Sequence, residues 1–113
     1  MTRLASLILI ISASLWGADV SGTWTANVVL DAGTGVATFV FEQKGESLSG
    51  TYSGVVGQAK VTGTVKGDQV EWSFDGGQAG MVTYHGTLEG ANKMKGTTEY
   101  GGLGKGTFTA EKK

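Results

Sequence analysis

Residues Ala59–Asp75 read AKVTGTVKGDQVEWSFD. Ala59, Val61, Gly63 and Val65 share one parity, and Lys60, Thr62, Thr64 and Lys66 the other. After Lys66-Gly67-Asp68 the pattern resumes with Val70, Trp72 and Phe74 on one face and Glu71, Ser73 and Asp75 on the other. Side chains alternate across a strand, so a period of two with one apolar face marks a half-buried β-strand. Two such runs around a short Gly-Asp turn make an antiparallel hairpin.

The same pattern extends in both directions. Strands are expected at about 20–30, 36–43, 48–54, 59–66, 69–75, 81–89, 93–100 and 105–111. The connections DAGTG, KGES, VVGQ, KGD, DGGQAG, GAN and GGLG are all of hairpin length, too short for a crossover helix or a Greek-key return. Consecutive strands therefore pair antiparallel in chain order. The fold class is all-β, an eight-stranded antiparallel up-and-down (meander) β-barrel, since closure removes both sheet edges. The chain has no Pro, which suits paired strands because Pro cannot donate to a ladder.

Glycine makes up 20 of the 113 residues, about 18% against a usual value of roughly 7%. Part of it follows a repeat: Gly-Thr recurs at Gly22, Gly50, Gly63, Gly86, Gly96 and Gly106, each within a strand. Parity places these glycines inside and the threonines outside. An inward glycine permits sharp coiling and lets a neighbouring ring pack over bare backbone. The interior is then expected to hold Val20, Trp24, Ala26, Val28, Phe39, Phe41, Leu48, Tyr52, Val61, Val65, Val70, Trp72, Phe74, Val82, Tyr84, Leu88, Met94, Tyr100 and Phe108. Eight strands enclose just enough room to be filled by side chains or to hold one small ligand. Glycines remove volume and aromatics add it, so both outcomes stay open.

Composition excludes several classes. With no Cys there is no disulfide, thiol nucleophile or thiolate metal site. A formal net charge of −1 gives no electrostatic case for nucleic acid. His85, the single histidine, falls on the outward face, and no Gly-x-Ser-x-Gly elbow or calcium-loop spacing is present. No catalytic residue, metal ligand or cofactor is therefore assigned, and the protein is not expected to be an enzyme.

Residues 1–18, MTRLASLILIISASLWGA, have one cation (Arg3), an apolar run from Leu4 to about Trp16 and small residues after it. This is the layout of a secretory signal peptide. The run is short of the roughly 20 residues a membrane span needs. Cleavage after Ala18 or after Ser14 leaves one domain; residues 19–113 carry eight Lys against ten acids, a net charge of −2. A secreted or periplasmic product is expected, with no membrane association after cleavage.

In a meander, alternate turns share an end. The turns at Asp31–Gly35, Val55–Gln58, Gly76–Gly80 and Gly101–Gly104 are read as longer, rich in Gly and nearly uncharged, with apolar Val55, Val56, Ala79 and Leu103 at their tips. Those at Lys44–Glu46, Lys66–Asp68 and Glu89–Lys93 are charged. Barrel mouths are a common pocket location, so the Gly-rich end is the candidate site. The candidate ligand-binding residues are Trp24, Tyr52, Gln58, Trp72, Tyr84 and Tyr100. The expected partner is a small apolar or aromatic molecule, or a protein met through the Gly-rich loops. The outward residues are mostly Thr, Ser, Lys and Glu, which favours a monomer.

Ser21-Gly22-Thr23-Trp24, Leu48-Ser49-Gly50-Thr51-Tyr52 with Val55-Val56-Gly57-Gln58-Ala59, and more weakly Glu71-Trp72-Ser73 and Gly106-Thr107-Phe108-Thr109, resemble the avidin/streptavidin family. Gly-Thr-Trp openings are also similar to lipocalin-type barrels. The avidin resemblance implies a secreted barrel in which Tyr52 takes the place of a ligand-bonding tyrosine and Trp72 lies near a ring-stacking tryptophan. Ala26, Gly54 and Gly106 stand where the family's polar biotin ligands would be, and the lidding tryptophan loop is missing. The resemblance thus implies a fold and no biotin site.

Overall fold

A computed structural model describes residues 19–113; the expected signal peptide lies outside the described residues. Eight strands follow in order: β1 Gly22–Leu30, β2 Gly33–Lys44, β3 Ser47–Gly54, β4 Gly57–Lys66, β5 Gln69–Asp75, β6 Met81–Leu88, β7 Lys93–Tyr100 and β8 Lys105–Lys112. Each pairs antiparallel with the next. β1 pairs with β8, from Trp24↔Lys112 to Leu30↔Gly106, and closes the barrel. The meander expected from the hairpin-length connections is the observed fold.

The strands zip further into the turns than the sequence suggests. β1 and β2 are joined by Asp31-Ala32 alone, and β3 and β4 by Val55-Val56 alone. Pairing continues to Leu30↔Gly33 and Gly54↔Gly57 because Gly33 and Gly57 take positive φ, 140° and 110°, which other residues rarely adopt. The reading of all four Gly-rich turns as long is corrected on this point. The longer two are Gly76–Gly80 and Gly101–Gly104, each wound into a short 3-10 turn.

All the residues expected inside are buried, and Ala37, Thr98 and Ala110 join them. Thr98 is the one buried polar side chain besides the tyrosines and tryptophans among the described residues, and its hydroxyl donates to the Thr83 carbonyl at 2.9 Å. The interior is largely filled. Phe39 sits at its centre, 5.1–6.1 Å from the rings of Phe41, Tyr52, Trp72, Phe74 and Tyr84. Tyr52 stacks on Phe74 and Trp72 on Tyr84, with interplanar angles of 19° and 10°. These are offset and edge-on arrangements that aromatic quadrupoles favour.

The inward glycines serve two purposes. At Gly86 a side chain would meet the Met94 sulfur and the Phe108 ring, so there bare backbone does make room for packing. At Gly50, Gly63, Gly96 and Gly106 an added Cβ would fall 1.8–1.9 Å from a carbonyl oxygen of the adjacent strand. These four mark where the sheet coils too tightly for any side chain, as a narrow closed barrel requires.

Candidate functional site

The end of the barrel carrying the charged turns is shut. Trp24 fills it, with its indole N–H donating to the Val20 carbonyl at 2.9 Å and the Lys112 ammonium 5.8 Å above its ring. Val20 N–H donates to Gln43, and Lys112 also donates to the Asp19 carbonyl. The sequence before β1 thus works as a plug.

The opposite, Gly-rich end is open on one side. The two 3-10 turns pack on each other there, with Gly101 against the Ala79 carbonyl. Between the β1–β2 turn, the tip of the β3–β4 turn and Leu103 lies a pocket of about 170 Å³. It is lined by Val28, Leu30, Val36, Ala37, Val55 and Leu103, by the segment from Ala32 to Gly35 that includes Thr34, and by the buried Tyr52 and Tyr100 at its base. None of the lining side chains is charged.

The candidate residues separate accordingly. Tyr52 and Tyr100 line the pocket. Tyr84 lies beneath them and joins its hydroxyl to that of Tyr100. Trp72 is stacked deeper still, and its buried indole N–H has no hydrogen-bond partner among the described residues. Trp24 is at the shut end. Gln58 is exposed on the outer wall of β4, beside Thr51, Ser53 and Lys60. The sequence flagged Val55 and Leu103 as apolar loop tips and Val28 as inward. It missed Ala37, whose parity with Phe39 and Phe41 was legible, and Leu30, whose parity with Trp24, Ala26 and Val28 was legible too; Val36, on the opposite parity and exposed, was not marked by its pattern.

Gly54 seats the Tyr52 ring: a Cβ there would lie 2.3 Å from the phenol oxygen. The Tyr52 hydroxyl accepts from Val56 N–H at 3.4 Å. Burial pushes both Tyr84 and Tyr100 above the ordinary tyrosine value, and the neighbouring phenols raise Tyr100 further. All three rings are at most 1% exposed. The base of the pocket is therefore a neutral cluster of phenols, a poor host for any ion.

This has a consequence for stability. An unfolded chain releases tyrosine protons near pH 10.0 while the folded chain retains those of Tyr84 and Tyr100. Stability fully present below pH ~10 is therefore lost as the pH rises above it, by up to about 1.4 kcal/mol per pH unit for each tyrosine. Urea midpoints should be flat from neutral pH to pH ~9 and fall beyond pH ~10. Tyr84→Phe should make that fall shallower; an equal slope in the variant contradicts this account.

Other chemistry-bearing groups are scattered. His85 and Glu71 pair at 3.3 Å on the outer wall, both more than half exposed. Among the described residues no three His, Asp or Glu side chains come together as a metal site.

No protein-family model matches the chain, and no curated protein matches it. Among solved structures, a redesigned β-barrel, mFAP1, determined bound to DFHBI, is similar, with a TM-score of 0.57 and 15% identity over 83% of this chain and 94% of that one. At that identity the likeness establishes a small closed β-barrel, and the chain is similar to that barrel in fold.

Proposed function

We propose that this protein is an exported, non-catalytic binding module that takes a small apolar or aromatic molecule in the Gly-rich mouth of its barrel. The observation that carries the reading is the mouth pocket: about 170 Å³, apolar walls, and two buried tyrosines at its base. Binding sites combine mostly apolar lining with a few polar groups that fix orientation. The similar barrel mFAP1 is described as bound to DFHBI, which supports a fold of this size as a host for small molecules. The avidin-like motifs support the same general use, with a different ligand, because Ala26, Gly54 and Gly106 offer no side-chain hydrogen bond. Export rests on the layout of residues 1–18.

Size limits the ligand. An engineered cavity of about 150 Å³ in another protein holds benzene, whereas pockets for drug-sized ligands start at roughly 300 Å³. A single ring with a short substituent fits. At about 0.5 kcal/mol per heavy atom, such a molecule binds with a Kd on the order of 0.1–1 mM. The test is a panel of monocyclic aromatics followed by ligand-observed NMR and thermal shift. Several should bind, and Ala37→Leu, which fills the pocket from the β2 wall, should abolish binding while leaving the circular dichroism unchanged. A panel with no binder, or binding indifferent to Ala37→Leu, removes the reading.

A second reading has its own observation. Val55, Met81 and Leu103, at the same end, are 67%, 60% and 38% exposed. An apolar rim of this kind suits contact with a protein through the loops. Ala37→Leu leaves that rim intact, so it separates the two uses.

A further inference from the structure

We propose that the outer face of β1, β2 and β3 is a self-association surface, through which two copies of this chain pair side by side about a two-fold axis. The pairing is independent of what the mouth pocket binds, and the face is distinct from the apolar rim formed by Val55, Met81 and Leu103.

Taken together, the outward residues are mostly Thr, Ser, Lys and Glu, a composition that favours a monomer. Strand by strand they are segregated. β1 presents Thr23, Thr25, Asn27 and Val29 outward, opposite Val40, Thr38, Val36 and Thr34 of β2. β3 adds Ser53 and Thr51 beside Thr38 and Val40, and β8 adds Thr107 and Thr109 beside Val29 and Asn27. None of these side chains is charged. The only charged residues of β1–β3, Glu42 and Lys44, lie at the shut end of β2. The four ion pairs among the described residues all fall on β5 to β8 and the turn after β6. Val29, Val36 and Val40 are each about half exposed, and they are half of the large apolar side chains left at the surface of the described residues. Depletion of charge around exposed apolar groups is the composition of an interface core, not of a solvated wall.

The chemistry of the face selects a second copy as its occupant. A hydroxyl or an amide both donates and accepts, so a face of Thr, Ser, Asn and Val matches itself. Turned against its own copy, it brings no like charges together, and each polar group meets one able to donate or accept. A partner held by charge would use β5 to β8 instead. The closed barrel has no free strand edge, so two copies can join only through side-chain faces. At about 3.3 Å per residue and about 4.8 Å between strands, the nine positions of β1 taken across β8, β1, β2 and β3 cover on the order of 500 Å² per copy. The pair buries about 1,000 Å², the lower limit for a specific contact, so the dimer is weak, with a Kd on the order of 10–300 µM. Thr34 and Val36 also line the mouth pocket, so pairing brings the second copy to the edge of that pocket.

The experiment is sedimentation velocity of the protein from about 1 µM to about 1 mM, a range that brackets the expected Kd. Wild type is compared with Val29→Lys, Val40→Lys, Val40→Thr and Thr97→Lys, each checked by circular dichroism. The wild-type mass should rise from one copy to two and stop there. Val29→Lys and Val40→Lys bring a like charge into the contact from both copies, and each should weaken pairing at least about tenfold. Val40→Thr exchanges one methyl for a hydroxyl on each copy and should weaken pairing about three- to tenfold, which keeps the proposal falsifiable if a lysine variant does not fold. Thr97→Lys, on the exposed outer face of β7, should pair as the wild type does. Raising the salt from about 50 to about 500 mM should not weaken pairing, since the contact holds no charge. Five outcomes each overturn the proposal: a single-copy mass throughout, pairing unchanged by lysine at either valine, equal losses in Thr97→Lys and Val40→Lys, a loss with salt, or growth beyond two copies.

Discussion

Gly96→Ala is expected to destabilise the barrel by about 3 kcal/mol or more, the range reserved for substitutions with a named steric cause. The methyl carbon would lie 1.8 Å from the His85 carbonyl oxygen and 2.9 Å from the Gly86 α-carbon. Neither neighbour can give way alone. His85 and Gly86 belong to β6, which is held in register to β7 through His85↔Thr97 and Gly86↔Gly96 and to β5 on its other side. Relief of the clash therefore means parting a ladder that closes the whole sheet. For a domain of this size, 3 kcal/mol corresponds to a fall in Tm of about 12–24 °C. The matched control is Gly102→Ala. Gly102 has an ordinary φ, and a methyl there would meet only the Ala79 oxygen at 3.8 Å. It should be neutral or stabilising by up to about 1 kcal/mol, because alanine restricts the unfolded chain. Equal thermal midpoints for the two variants would show that the strand glycines are tolerated rather than required.

Phe39→Ala is the other large effect, expected at about 4 kcal/mol in urea melts. Phe39 is 1% exposed and lies within 5.1–6.1 Å of five other rings drawn from four different strands. Its removal leaves a void that the barrel cannot collapse, since the wall positions are fixed by closure. The void would lie below Tyr52, so the variant should also enlarge the mouth pocket and accept larger aromatics than the wild type. A loss below about 1.5 kcal/mol would mean that the surrounding rings repack into the space.

The two substitutions address features that differ in how far they can be read locally. The alternation in Ala59–Asp75 and its counterparts is set by strand geometry one residue at a time. It therefore yielded all eight strands, the inward set from Val20 to Phe108, and the antiparallel order through hairpin-length connections. The Gly-Thr repeat was visible as a pattern, yet whether its glycines faced rings or backbone was not. That depends on how tightly the sheet coils, and four of them prove to face carbonyl oxygens of the next strand while Gly86 faces side chains.

The site divides in the same way. The choice of the Gly-rich end followed from turn parity, and Tyr52 and Tyr100 were among the residues singled out. Trp24 could not be told from them by parity, whereas the parity of Gln58, shared with Lys60 and Thr62, already pointed outward. Trp24 is inward but at the shut end, and Gln58 is at the open end but on the outer wall. Position along the barrel axis depends on strand register, a property of pairs of strands, and no single strand carries it.

What the sequence determined by itself is the fold: period-two alternation, short turns and the absence of Pro leave an eight-stranded meander few alternatives. What only the tertiary structure decided is how the interior is shared between rings and empty space. Summed side-chain volume against a closed wall is a non-local quantity. Here it resolves into a packed aromatic core around Phe39 and a pocket of about 170 Å³ at one end. The pocket lies where the two-residue turn at Asp31-Ala32 and the tip at Val55 meet Leu103 of the Gly101–Gly104 turn, three segments that only closure of the barrel brings together.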